Sequence, residues 1–501
     1  MTVAALSEQP TGRGLLWQAI RSQWRPSALG LLGATCHQGG EALVPVLIGV
    51  VIDEAVATGT TGDLLIWLGV LAGVFAVLSY GYRFGYRASE RAAERAAHDL
   101  RMALTARVLD DRGGADDGRL AGELTNIATG DVKRVGAVNL ALPGLMSGLV
   151  GLAVSAVALL NVSVVLGLLV LLGTPPLLWL AHLLGKPLER RSGVEQERAA
   201  RASGVATDLA AGLRVLKGIG AEETAVARYR STSRDSLAAT LRAAWAEAWY
   251  TGAGLALNGA FLAVVALVAG RMTAQGDISI GGLVTAVGLA QYLLGPLSML
   301  SWTNAEFAQA RASAARVAAV LGAPPAVVGA GAELPAAPRG RLRLRGLSHG
   351  PLRAVDLDVA PGELVGVVAT DPAAATALLT CLARDRDPDA GAIEIDGVPM
   401  AALDPGQVRR AVVVAAHDAA LFEGTLAENV LAGAAVAADG NGAARATAGA
   451  AGGADGATGA SDPLLARVLA AAGADEVARA LPEGVHSRIA ERGRSLSGGQ
   501  R

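Results

Sequence analysis

The chain has 501 residues, 52% of them hydrophobic and 18% charged, with a mean hydropathy of +0.41. That is too apolar for an ordinary soluble protein of this length and points to membrane spans. A formal charge of −2 offers no basic excess for nucleic acid, and two distant cysteines, Cys36 and Cys381, argue against a disulfide framework or a cysteine metal site.

The first residues, MTVAALSEQPTGRG, lack the basic-then-apolar order of a cleaved signal peptide, so the first span itself would drive insertion. LLWQAIRSQWRP (15–26) sets apolar residues at helical spacing around Arg21 and Arg25. It reads as an interfacial helix on the cytoplasmic surface, closing an N-terminal segment 1–26. An ordinary amphipathic helix would carry the same pattern.

Apolar runs near the ~20 residues that cross a bilayer follow at 27–52, 64–82, 251–270 and 281–302, and two more share 141–184, split at Asn161. They predict six spans within a membrane domain 27–320. The segments 83–138 and 186–242 are dense in arginine, whereas 53–63 has no Lys or Arg, so positive-inside bias places the long segments and both termini in the cytoplasm. Their helical periodicity extends the spans as long cytoplasmic helices, with 122–139 and 206–230 as contacts onto a cytoplasmic domain. His37 and Glu41 lie one turn apart within the first span. Ionisable groups at that depth face cavities, which makes them candidates for a substrate path; local pairing beside a water-filled vestibule is the plainer alternative.

The texture changes after a linker, 321–340. In 341–501, RLRLRGLSHG alternates like a strand, LVGVVA reads as a buried strand leading into the helix ATALLTCLA, GAIEIDG is a strand ending in an Asp-Gly turn, and RRAVVVAA is another strand. Residues 434–461 are Ala/Gly low complexity, an insert that cannot bury a core. Helical sequence resumes at SDPLLARVLAAAGADEVARAL before ERGRSLSGGQR.

LSGGQR (496–501) is the sharpest motif: a serine and bare glycines at a helix start present N–H groups and a hydroxyl to an anion. With GELTNIATGD, GLRVLKGIGAEE, DPDAGAIEIDGVPM, LFEGTLAENV and LPEGVHSRIAERGRSLSGGQR in order, the chain resembles an exporter-type ABC transporter half, from Leu15 to Arg501. The resemblance implies an α-helical membrane domain of six spans followed by an α/β P-loop-type ATPase domain, with ATP and Mg²⁺ as cofactors. It also implies that Ser497, Gly498, Gly499 and Gln500 serve in trans, stabilising the γ-phosphate of ATP held by a partner.

The phosphate-loop pattern G-x-x-x-x-G-K-[ST] falls on Ala369, Thr370, Asp371, Pro372, Ala373, Ala374, Ala375 and Thr376, with Ala377 next. Both glycines and the lysine are replaced by alanine; Thr376 survives as a weak candidate Mg²⁺ ligand. Losing the charged hydrogen bond of the lysine costs about 1.5–3 kcal/mol, more than the ~1 kcal/mol that a helix N-terminus returns. His417 stands where the resemblance expects a glutamine, and only His349 lies near the expected adenine-stacking aromatic. Both also fit as surface polar residues.

The family's acidic Mg²⁺ ligand, catalytic glutamate and switch histidine would follow Arg501, so no catalytic set is complete and the reading frame is expected to continue. These readings converge on the degenerate half of a heterodimer, inactive alone and paired with a second half-transporter whose phosphate loop is intact, in the plasma (inner) membrane of a bacterium. The transported substrate is unidentified. A regulatory pseudo-ATPase without transport, and an importer on the same fold, are the alternatives.

Overall fold

The computed structural model describes residues 10–57, 59–335, 337–415, 421–432, 463–490, 493 and 496. These divide into two compact units: 1–110 with 114–324, and 111–113 with 325–501.

The first unit is helical. An amphipathic helix α1 (Gly12–Ser22), capped by the Thr11 hydroxyl, leads into α2 (Trp24–Val51). Helix α3 (Thr61–Val108) runs 48 residues without proline. Short helices α4 (Ala121–Asn126) and α5 (Val132–Gly136) flank a π-helical turn at Ile127–Asp131 and lead into α6 (Val138–Val162). The break expected at Asn161 falls at Ser163, whose extended backbone ends α6 and caps α7 (Val164–Ala211). A short helix, α8 (Leu213–Gly218), joins α7 to α9 (Glu222–Gln275), and α10 (Ile280–Tyr292) and α11 (Leu294–Leu321) complete the unit.

Among the described residues five helical stretches are long and apolar enough to cross a membrane: 61–108, 121–162, 164–211, 222–275 and 280–321. The expected first span, α2, is a 28-residue helix that falls outside this set. His37, Gln38 and Glu41 interrupt its apolar run. Apolar side chains such as Leu65, Ile66, Phe75 and Val77 on α3 point away from the unit, the arrangement required where the solvent is lipid tail.

Small residues bring the helices together. A Cβ on Gly33 of α2 would lie 2.5 Å from the backbone of Gly81 and Gly85 on α3, so this crossing demands glycine. At one end of α10 the Asp53 carboxylate accepts hydrogen bonds from the Gly281 N–H (2.9 Å) and the Ser279 hydroxyl. A buried apolar cluster includes Leu15, Leu100, Val132, Val135 and Val317, so α1, α3, α5 and α11 share one core.

Beside that core, the Asp131 carboxylate is 4% exposed and accepts Arg316 Nε at 2.7 Å, Arg316 Nη2 at 2.5 Å and the Ser313 hydroxyl at 2.9 Å. Removing the cation leaves a desolvated carboxylate with one neutral donor. Arg316→Ala is therefore expected to cost about 2 kcal/mol of stability, and Arg316→Lys less. The check is the thermal midpoint of the detergent-solubilised variants.

In the second unit, β1 (Leu342–His349) pairs antiparallel with β2 (Leu352–Val359) and with β3 (Ala390–Ile395), which pairs with β4 (Val398–Pro399). The order is β2-β1-β3-β4. The Asp396-Gly397 turn has both residues at positive φ (52° and 84°), the geometry a two-residue hairpin requires. Helix α12 (Pro372–Leu382) packs through Leu378, Cys381 and Leu382 on the cluster of Leu344, Leu347, Ile393 and Leu403. Burial pushes the Cys381 thiol up to about 11, as befits a small apolar core residue. Helix α13 (Pro405–Ala411) follows, then β5 (Gly424–Thr425) with α14 (Leu426–Leu431), α15 (Pro463–Ala471), α16 (Asp475–Ala480) and β6 (Arg488–Ile489), which pairs with β5.

Two expected strands are corrected. Residues 364–369, the stretch read as a buried strand, form no strand, and Leu364 (98%) and Val368 (94%) are exposed. RRAVVVAA is helical through Ala411, and 412–415 form no strand. Its Val413 is exposed. The physical reason is pairing: among the described residues no strand lies beside either segment, and a strand forms only against another backbone. The described sheet is accordingly antiparallel rather than the parallel core of a P-loop fold.

Candidate functional site

The phosphate-loop position sits where 363–370 meets α12. A helix start ordinarily offers several unpaired N–H groups to an anion. Here Pro372 has none. The Asp371 side chain accepts the Ala373 N–H (2.9 Å), and its carbonyl accepts those of Ala374 (3.0 Å) and Ala375 (3.4 Å). An internal carboxylate thus occupies the anion position, and Ala375 supplies no cation. The Thr376 hydroxyl donates back to the Pro372 carbonyl at 3.2 Å. Ala369, Thr370 and Asp371 are all exposed. This arrangement does not fit a nucleotide triphosphate or its Mg²⁺.

His349 closes β1, its Nδ1 3.4 Å from the Asp389 carboxylate. His417, Ser497, Gly498, Gly499 and Gln500 lie outside the described residues, as does the insert 434–461.

One residue gave no sequence signal. Arg384, two positions past α12, is wholly buried and at positive φ. Its guanidinium donates to the carbonyls of Leu403, Val328 (3.1 Å) and Ala401 (2.8 Å). It ties the end of α12 to the sheet side of the unit.

Surface carboxylates brace β1. The Arg341 and then the Arg343 guanidinium hold the Asp358 carboxyl far below the ordinary carboxylate range. Backbone N–H groups, that of Arg341 foremost, lower Asp396. Both are harder to protonate folded than unfolded. Their contribution is therefore present above the unfolded value of about 3.9 and lost as pH falls through the lowered folded values. Protease protection of 339–396 is expected to hold from about pH 7 to 5 and to decline below about pH 4.

In the helical unit, His37, Gln38 and Glu41 line a cavity of about 410 Å³ with Tyr82, Tyr86 and Trp302. His37 Nε2 is 3.9 Å from Glu41 Oε2. The structure thus brings together the two residues singled out on α2, and adds the aromatic wall.

Comparison with known proteins covers both units. Residues 27–297 match the family model of the ABC transporter transmembrane region, and 352–501 the family model described as ABC transporter. The chain is 29% identical, over 92% of its length, to a multidrug efflux ATP-binding/permease protein of Mycobacterium bovis, of which it spans 37%. It is 27% identical over 98% of its length to an ATP-dependent lipid A-core flippase of Thiobacillus denitrificans, spanning 83% of that protein. A human mitochondrial potassium channel ATP-binding subunit is 27% identical over 97% of the chain and 66% of its own length. With more than half its residues matching one family model and most of the rest matching the other, the chain belongs to the ABC transporter family, a transmembrane region joined to an ATP-binding region.

Proposed function

We infer that this chain is the non-hydrolysing half of a heterodimeric ABC exporter. The observation that carries the reading is the start of α12, where Asp371 takes the N–H groups a phosphate would need and no lysine follows. Paired with itself, the chain would place that loop at both composite ATP sites. Paired with a half bearing an intact loop, its Ser497, Gly498, Gly499 and Gln500 complete one working site. ATP and Mg²⁺ are then held by the partner, with Thr376 contributing little. Helix α2 serves as a sixth span, both termini are cytoplasmic, and the long helices α3, α7 and α9 carry nucleotide-driven motion to a path that includes His37 and Glu41. The multidrug efflux and flippase names of its relatives agree with a bacterial inner-membrane exporter.

The test is ATP hydrolysis by the chain alone and in complex with candidate ABC halves in lipid nanodiscs. The expected result is turnover only in a mixed complex, lost on Ser497→Ala. Robust turnover by the chain alone would refute the assignment. One relative is named as an ATP-binding subunit of a potassium channel, which favours a second reading as a regulatory subunit; nucleotide-dependent gating of a partner without substrate movement would select it.

A further inference from the structure

The cavity in the helical unit has a specific chemistry. Among the described residues its wall carries one carboxylate, Glu41, and one basic side chain, His37. Gln38 Nε2 donates to Glu41 Oε2 at 3.0 Å, and its remaining N–H goes to the Tyr292 hydroxyl, which in turn donates to the Gln38 carbonyl at 3.0 Å. Both N–H groups of the amide are taken, which fixes its orientation. Glu41 therefore receives one neutral donor among the described residues, and its side chain, 46% exposed, opens onto the cavity.

His37 does not supply the missing donor. Its Nδ1 lies 3.1 Å from the Leu78 carbonyl, which can only accept, so Nδ1 carries the proton. In the neutral ring Nε2 is then an acceptor, turned toward Glu41 Oε2 at 3.9 Å. Two acceptors face each other across a gap. A single ammonium nitrogen making two bonds of about 2.9 Å spans acceptors roughly 4–4.7 Å apart, close to this spacing.

The rest of the wall is aromatic. His37 and Tyr82 have ring centroids 5.1 Å apart, and Tyr82 stacks with Tyr86 at 5.7 Å. Trp302 reaches the cavity from α11, and small residues such as Gly81, Gly85 and Gly144 leave it open. Aromatic faces beside an uncompensated carboxylate favour a cation with an apolar body. Among the described residues there is no group of three or more His, Cys, Asp or Glu side chains able to hold a metal ion.

The geometry points to a binding site, within this single chain, for a lipophilic primary or secondary amine carried as its ammonium. The charged nitrogen sits between Glu41 and His37, and the apolar body lies against Tyr82, Tyr86 and Trp302. This assignment rests on reading His37 and Glu41 as part of the substrate path and names the class that path takes. A free amine and the ammonium of an aminolipid headgroup share the chemistry.

The experiment measures binding of 3,3-diphenylpropylamine and its neutral isostere 3,3-diphenylpropanol to the full chain in phosphatidylcholine nanodiscs, whose quaternary headgroup has no N–H. The amine is expected to bind at least about tenfold tighter than the alcohol. Glu41→Gln should abolish that preference by weakening the amine far more than the alcohol, and Glu41→Asp should keep it. Trp302→Ala should weaken both ligands. Adding phosphatidylethanolamine separates the sources: competition with the amine identifies a headgroup ligand, and its absence a free amine. Equal binding of amine and alcohol, or an amine affinity untouched by Glu41→Gln, overturns the proposal. ATP turnover by the wild-type mixed complex without amine tests the half-transporter reading separately.

Discussion

Replacing Ala375 with lysine alone is expected to raise the affinity of this chain's own loop for MgATP by less than about threefold, although a lysine–phosphate bond is worth about 1.5–3 kcal/mol. The reason lies in what already occupies the helix start. Asp371 would sit beside the new ammonium and pair with it, so the charge would be spent inside the loop. The N–H groups of Ala373, Ala374 and Ala375 would remain bonded to Asp371, and Pro372 would still have none to give. A combined variant, Ala369→Gly, Asp371→Ser, Pro372→Ser, Ala374→Gly and Ala375→Lys, removes the internal anion, restores a donor and lets the backbone curl toward a ligand. Its gain is expected to be about a hundredfold or more, the sum of a charged hydrogen bond, the removed carboxylate and the backbone donors regained at 372 and 373. Equilibrium binding of a fluorescent ATP analogue to the purified chain reads both. If the single lysine variant bound as tightly as the combined one, Asp371 would not be the obstacle.

What could be read from the sequence follows the range of the forces involved. Long apolar helices declare themselves locally: the runs at 64–82 and 251–270 lie inside α3 and α9, and the polar break near Asn161 became the Ser163 cap. The hairpin turn at Asp396-Gly397 was equally visible, because positive φ restricts which residues can stand there. The failures are non-local. LVGVV has every local property of a buried strand, yet a strand is defined by its neighbour, and the described residues place none beside it. His37 and Glu41 could be flagged from their depth in an apolar run. Their aromatic surroundings on α3 and α11 could not, since nothing in the spacing of YGYRFGY says which helix those rings will meet. Asp371 is legible in the sequence as one position of the phosphate-loop stretch, whereas its role as the cap of α12 depends on where the helix starts.

Arg384 is the extreme case, and truncating it should have the largest effect on stability in the second unit. In CLARDRDPDAG it is one arginine among several charged residues, and composition would place it in water. Instead it is wholly buried. Its guanidinium satisfies three backbone carbonyls, those of Leu403, Val328 and Ala401, and lies 3.4 Å from Asp387. Arg384→Ala would leave those carbonyls unpaired around a cavity the size of the lost side chain. Each unsatisfied buried acceptor costs about 1–3 kcal/mol, so the total is expected near 4 kcal/mol after partial relaxation. Arg384→Lys reaches fewer acceptors because an ammonium lacks the planar fork, and should recover only part of that loss. Arg384→Gly isolates the backbone from the side chain: glycine relieves the positive φ of 52° but abolishes every clamp bond. If conformational strain dominated, glycine would be neutral or stabilising. If the clamp dominates, glycine should be nearly as damaging as alanine, and hydrogen exchange across α12 and 400–404 should accelerate together because one side chain holds both.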